Sequence, residues 1–154
     1  MLLAGLGKPF SAAAVKRAAV LARQATEDLN PSVAVLTIAK MHGSSLGLQH
    51  PGLMPTKKER DAQVALVDTA ITSLKKLGVQ ADGQVAVTRK FLRTVVGVAR
   101  TRQVRYVVMD EPDGGAVRRF LEGDPARFIR PRLNGDTLLE MVPSSSPIGR
   151  PASA

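Results

Sequence analysis

Apolar residues along the chain follow two alternating patterns, short apolar runs and longer stretches with a period of three to four residues. The short runs, which predict strands, are Met1–Gly5, Val33–Ala39, Gln84–Thr88, Val104–Met109 and Thr137–Val142. The periodic stretches, which predict amphipathic helices, are Ala12–Leu29, Lys58–Leu77, Lys90–Gln103, Ala116–Leu121 and Ala126–Ile129. Strands that alternate with helices are typical of an α/β fold with a parallel sheet and right-handed crossovers.

The chain of 154 residues has the length of one domain. We expect an open parallel five-stranded sheet with helices on both faces over residues 1–142. Continuous β-branched runs such as Val33–Ala39 are typical of strands covered on both sides. Residues 143–154 are rich in Pro, Ser, Gly and Ala and predict a disordered tail. Ser11 is expected to cap the first helix, and Gly78 to end the second.

The candidate site follows from the predicted topology, because parallel α/β sheets bind ligands outside the carboxyl ends of their strands. The loops after the first, second and fourth strands are Gly5–Ser11, Met41–Thr56 and Asp110–Gly115. The first contains Gly7 and Lys8, which we interpret as a tight turn, with an anion-binding turn as the alternative. The second contains His42 and His50, interpreted as solvated residues, with ligand contact as the alternative.

The composition excludes several kinds of site. Cysteine is absent and only two histidines occur, so a thiolate zinc site, a cysteine nucleophile and a three-histidine metal site are excluded. We therefore predict no metal site. No apolar run is long enough to cross a membrane, and the first residues lack the features of a secretory signal. These features predict a cytoplasmic location, with membrane association as an alternative.

Positive charge dominates, with 22 Lys and Arg against 13 Asp and Glu, a formal net charge of +9. Six basic residues and no acidic one lie between Arg89 and Arg105. We predict that Arg93, Arg100 and Arg102 dock an anionic partner, which is an acidic protein, a membrane surface or nucleic acid. The alternative is a solvated outer helix face. Trp is absent and aromatic residues make up 3% of the chain, which argues against base stacking and sequence-specific reading.

Three segments resemble the universal stress protein family over about residues 1–142. They are the opening strand and turn (Met1–Lys8), the fourth strand (Arg105–Asp110) and the Gly123–Asp124 pair before a short helix. The resemblance implies a strand order of 3-2-1-4-5 and a nucleotide cleft. It also implies a homodimer formed through the last strand, Thr137–Val142.

The nucleotide signature of that family departs from its pattern in this chain. The family has Gly, two residues, Gly, nine residues, then Gly with Ser or Thr, and the corresponding positions here are Asp110, Asp113 and Gly123–Asp124. Carboxylates repel phosphate by about 4 kcal/mol per pair of charges ~4 Å apart at an effective dielectric constant of 20. As an alternative, Gly114 and Gly115 restore the cradle, with Arg118 and Arg119 as counter-charges. The acidic residues are interpreted as a solvated turn in which Asp124 caps the last helix, with a cation or basic-partner site as the alternative.

The resemblance implies a non-catalytic regulatory or docking module with lost or weakened ATP binding and no expected cofactor. One alternative is a universal stress protein that binds ATP or another nucleotide. Another is a cytoplasmic accessory domain or subunit of a membrane transporter. The candidate cofactor-binding residues of the cleft are Gly7, Lys8, Met41, Met109, Asp110, Asp113, Gly114, Gly115, Gly123 and Asp124.

Overall fold

The computed structural model describes residues 1–25, 30–41, 54–112 and 123–143. In chain order the described elements are β1 (Leu2–Ala4), α1 (Ala12–Ala25), β2 (Ser32–Lys40), α2 (Lys57–Lys76), β3 (Gln80–Thr88), α3 (Phe91–Thr101), β4 (Tyr106–Asp110), α4 (Pro125–Ile129), a 3-10 turn (Arg130–Arg132) and β5 (Leu138–Val142). All five predicted strands are confirmed, with shifted boundaries. The predicted helix Ala116–Leu121 and nearly all of the predicted tail lie outside the described residues.

The five strands form one parallel sheet in the order β3-β2-β1-β4-β5, which confirms the expected topology. β1 is the central strand although it is only three residues long. Its Leu2 pairs with Ala34 of β2 on one side and with Val107 of β4 on the other. Every residue of β1 is buried, because helices cover both faces of the sheet at its centre.

Two hydrophobic cores lie on opposite faces of the sheet, because successive side chains of a strand point in opposite directions. On one face, Leu3, Val35 and Val108 pack against α1 and α2. On the other, Leu2 and Val107 pack against α3 and α4. This division confirms the prediction of helices on both faces.

β3 begins four residues earlier than the sequence predicts, because its first half is an edge strand of polar and small residues without an apolar pattern. Gly83 lies in this half, where α2 crosses closely over the strand. A Cβ atom at Gly83 would lie 2.2 Å from Val67 Cγ1 and 3.3 Å from the Val35 carbonyl oxygen. The missing side chain at Gly83 thus permits the contact between α2 and β3.

The helix ends follow local sequence signals. Thr56 and Glu59 form a capping box at the start of α2, with the Glu59 N–H donating to Thr56 Oγ1 at 3.2 Å. Gly78, at φ 77°, ends α2 as predicted, and the Val79 N–H donates to the Leu74 carbonyl. α3 ends in the same way, but Gln103 occupies the left-handed position at φ 49°.

The close crossing of α2 over β3 predicts opposite effects for two glycine substitutions. Gly83→Ala should lower the free energy of unfolding by about 1–3 kcal/mol, because Val67 must move. Gly97→Ala is the matched control, because Gly97 lies in α3 with open space around its Cα. It should raise stability by roughly 0.5–1 kcal/mol through helix propensity. Urea unfolding measures both, and an unchanged midpoint for Gly83→Ala would contradict the close approach.

Candidate functional site

The strand order places a topological switch point between β1 and β4. The chain leaves β1 for β2 and β3 on one side, then crosses back to β4 and β5 on the other. Ligands of open α/β sheets bind in the crevice that this reversal creates at the carboxyl ends of the strands. In this chain the crevice lies between the connection that follows β1 and the last residue of β4, Asp110.

Asp110 bridges this crevice by hydrogen bonding to Ser11, the residue that precedes α1. The Ser11 backbone N–H donates to Asp110 Oδ2 at 2.9 Å, and the Ser11 hydroxyl donates to Oδ1. The same hydroxyl oxygen accepts the Ala14 N–H at 3.0 Å, which confirms Ser11 as the cap of α1. Asp110 is half-buried and Ser11 is 3% exposed. One carboxylate therefore joins the end of β4 to the start of α1.

The Asp110 carboxylate lies at the start of α1, where the backbone N–H groups stabilise its negative charge. The first N–H groups of a helix lack partners within the helix and attract an anion, which a bound phosphate supplies in many α/β proteins. At α1, the Asp110 carboxylate and the Ser11 hydroxyl already satisfy the donors of Ser11 and Ala14. An anion bound there would have to displace Asp110 and leave its charge half-buried without these donors.

A second polar network fixes the connection after β1, and the sequence analysis missed it. The Thr37 hydroxyl donates to Gln63 Oε1 at 2.9 Å, and Gln63 Nε2 donates to the Gly7 carbonyl at 3.0 Å. Gly7 has a φ of 80°, in the left-handed region that favours glycine, as a tight turn requires. The available signal was Thr37, the polar residue within the apolar run Val33–Ala39.

The other predicted site residues have separate environments. Lys8 is exposed, Met41 is half-buried after β2, and Met109 is fully buried in the core beside α3 and α4. The Met109 side chain is therefore part of the core rather than of the cleft surface. Gly123, at φ 79°, precedes Asp124, whose carboxylate caps α4 by accepting the Ala126 N–H at 2.9 Å. The prediction that Asp124 caps the last helix is confirmed.

Seven residues that the sequence analysis names for the cleft and its loops lie outside the described residues. They are Asp113, Gly114, Gly115, His42, His50, Arg118 and Arg119. Among residues 1–25, 30–41, 54–112 and 123–143, no group of three acidic, His or Cys side chains is arranged to hold a metal ion. No helix in those same ranges combines the length and apolar character needed to cross a bilayer.

A separate polar cleft of about 240 Å³ lies at the amino-terminal edge of the sheet, away from the switch point. Its polar side chains are those of Ser32, Arg102, Gln103 and Arg105. Arg102 is paired with Asp82 at 2.8 Å, and Arg105 donates to the Ala25 carbonyl at 3.2 Å. Burial and the charge of Arg102 lower the pKa of the Met1 amine. Both arginines of this cleft therefore have structural partners.

Several solved structures are similar to this chain over most of its length, and those described below are universal stress proteins. A universal stress protein family member from Burkholderia pseudomallei superposes with a TM-score of 0.61 over 93% of this chain and 95% of its own, at 16% identity. A universal stress protein in complex with cAMP superposes with a TM-score of 0.63 over 94% and 97%, at 15% identity. The chain has the universal stress protein fold.

A third structure of the universal stress protein fold, from Archaeoglobus fulgidus in complex with dAMP, gives a TM-score of 0.58 at 15% identity, over 90% of this chain and 94% of its own. No family model matches the sequence, and no curated protein matches it. The shared architecture confirms the fold expected from the resemblance. At sequence identities of 15–16%, the comparison supports a shared fold and no shared function.

The bridge across the crevice predicts a loss of stability when Asp110 is truncated. Asp110→Ala should lower the free energy of unfolding by about 2 kcal/mol, because it removes two hydrogen bonds to a carboxylate and leaves the buried Ser11 N–H without that acceptor. Asp136→Ala is the control, because Asp136 is an exposed turn residue and should change stability by less than about 0.5 kcal/mol. Equal unfolding midpoints for the two variants would contradict a structural role for Asp110.

Proposed function

We propose that the chain is a regulatory or docking module of the universal stress protein fold, without catalytic activity and with lost or weakened nucleotide binding. The observation that supports this proposal is the hydrogen bonding of Asp110 to Ser11 across the switch-point crevice. A phosphate cradle needs bare backbone N–H groups and no competing anion. In this chain the Asp110 carboxylate, at the first position of the glycine signature, accepts the Ser11 N–H and hydroxyl, which supports the proposal that phosphate binding is opposed there.

Nucleotide binding is the second candidate function. Two neighbours of the same fold were solved in complex with cAMP and with dAMP, so the architecture accepts nucleotides in other sequences. The exposed Gly123, with open space around its Cα, favours this alternative, because a glycine there leaves room for a ligand. The two candidates differ in whether the native chain binds a nucleotide without substitution of its acidic residues.

Calorimetric titration of the native chain with ATP, cAMP and dAMP separates the two candidates. We expect no saturable heat up to about 1 mM, where the binding free energy is only about −4 kcal/mol. A variant with Asp110→Gly, Asp113→Gly and Asp124→Ser should gain ATP binding, because it restores the glycines and keeps a capping hydroxyl at residue 124. Saturable micromolar binding to the native chain would contradict the proposal, as would no gain in a folded triple variant.

We also propose a homodimer formed through β5, which lies at one edge of the sheet. An edge strand with apolar side chains needs a cover. Leu138 is 58% exposed, and its neighbours Leu139 and Met141 are only half-buried. Glu140 is held by Arg17 of α1, so it does not place a free charge at this edge. A second copy of β5 would cover Leu138.

Light scattering during size exclusion tests the dimer. We expect a dimeric mass for the native chain and a monomeric mass for Leu138→Glu, because a buried unpaired carboxylate at the edge opposes pairing. Val87→Glu is the matched control, since Val87 is an exposed apolar residue on β3 at the opposite edge. It should remain dimeric. A monomeric native chain, or equal dissociation of both variants, would contradict pairing through β5.

The docking role extends the sequence-based proposal for Arg93, Arg100 and Arg102. Arg93 and Arg100 are exposed on α3, where side chains can meet a partner. Arg102 follows α3 and is paired with Asp82. Its charge is therefore partly neutralised within the chain, and the docking proposal rests on Arg93 and Arg100.

A further inference from the structure

Four exposed arginines lie on the outer side of one helical layer. α3 and α4 cover the same face of the sheet, because Val95, Val96 and Ile129 share one core. The side chains opposite this core include Arg93 and Arg100 of α3, Arg127 of α4 and Arg130, which begins the 3-10 turn. We call these four residues the arginine face. No acidic residue lies within α3, α4 or the 3-10 turn.

The spacing on α3 makes the surface suitable for an extended anion. Arg93 and Arg100 are seven residues apart, so their Cα atoms are separated by about 10.5 Å along two turns of the same helix side. Gly97 lies between them and carries no side chain, with open space beyond it. A polyanion can therefore approach the helix between the two guanidinium groups.

Several other arginines among the described residues have structural contacts that account for them. Arg17 pairs with Glu140, Arg23 donates to the Leu77 carbonyl at 2.7 Å, and Arg132 lies over the Phe128 ring at 3.9 Å. The side chains of the arginine face form no such contact with the described residues. Arg93 also lies in the first turn of α3, where the helix dipole disfavours a cation. Contacts that stabilise the fold therefore do not explain the positive charge of the arginine face.

We infer that the arginine face binds the phosphate backbone of a nucleic acid without reading its sequence. This inference rests on the proposed docking function, because it names the partner of that module. Guanidinium groups match phosphate oxygens in a two-bond geometry, and phosphate contacts alone supply sequence-independent binding. The positive charge would orient the nucleic acid and strengthen its binding, and it would not recognise individual bases.

The apolar surface argues against the two other anionic partners. The exposed large apolar residues of the described chain are Val20, Met54, Val64, Val87 and Leu138, and none belongs to α3 or α4. A protein partner usually needs a buried aromatic or apolar anchor at its interface, and a membrane-bound helix needs apolar side chains to insert. The arginine face offers neither. Phe91, at the start of α3, is 8% exposed.

Fluorescence anisotropy with a labelled random-sequence DNA duplex tests the inference through its salt dependence. Four phosphate contacts predict a slope of about −3.6 in log K against log salt, so a fourfold rise in salt should weaken binding about 150-fold. Arg93→Gln alone should reduce the slope by about 0.9. The quadruple variant with Gln at all four positions should lose most of the slope and of the binding.

The matched control removes four charges from the opposite helical layer. It carries Gln at Lys16 of α1 and at Lys57, Lys58 and Arg60 of α2, all exposed, and should keep at least three quarters of the slope. Circular dichroism establishes that both variants fold, and the single Arg93→Gln variant provides the test if the quadruple variant does not. An equal loss of duplex binding in the quadruple and control variants would overturn the inference. Binding would then depend on the net charge of the chain rather than on the arginine face.

Two further probes distinguish this inference from the proposed function. Binding of poly-glutamate or of phosphatidylglycerol vesicles through the same four arginines, with no binding of the duplex, would overturn the nucleic-acid inference and leave the docking function intact. ATP binding by calorimetry would overturn the proposed function whatever the duplex result. Duplex binding that persists in the quadruple variant with an unchanged slope would also overturn the inference.

Discussion

The carboxylate of Asp110 is the constraint on which the carboxyl edge of the sheet depends. β1 is short and ends in a loop, so the start of α1 needs a fixed point beyond β1 itself. Asp110 provides that point from β4, through the N–H and hydroxyl of Ser11. Thr37 and Gln63 hold the same connection from the other side, at Gly7. Contacts within the chain thus fix the connection after β1 on both sides, among the described residues.

The fold could be predicted largely from sequence because its three central strands, β1, β2 and β4, are buried on both faces. Runs such as Val33–Ala39 and Val104–Met109 differ clearly from the helical period around them. The first half of β3 could not be predicted, because an edge strand under a close helix crossing contains Asp82 and Gly83 rather than an apolar pattern. Strand order required the family resemblance, since periodicity does not determine which strands are neighbours.

The sequence predicts a candidate cleft at the carboxyl ends of the strands, but it did not predict the hydrogen bonding of Asp110. The sequence treated Asp110 as a carboxylate that opposes phosphate, whereas in the structure it accepts the Ser11 N–H. The cap that the sequence predicted for Asp124 is confirmed, because its carboxylate accepts the Ala126 N–H. A carboxylate at a helix N-terminus is stabilised by the same donors that would bind a phosphate. Sequence shows that a charge is present, and only the fold shows which donors it meets.

The part of the arginine face on α4 lies beside β5, and this proximity links the two proposals. Leu139 and Met141 of β5 pack into the core that Ile129 of α4 shares with α3. Two chains paired through β5 would therefore bring two copies of α4, with Arg127 and Arg130, toward the same dimer boundary. Doubling the number of phosphate contacts on one continuous polyanion raises both the apparent affinity and the salt slope without any new kind of contact. Dissociation of the dimer would then weaken polyanion binding even though every arginine remained in place.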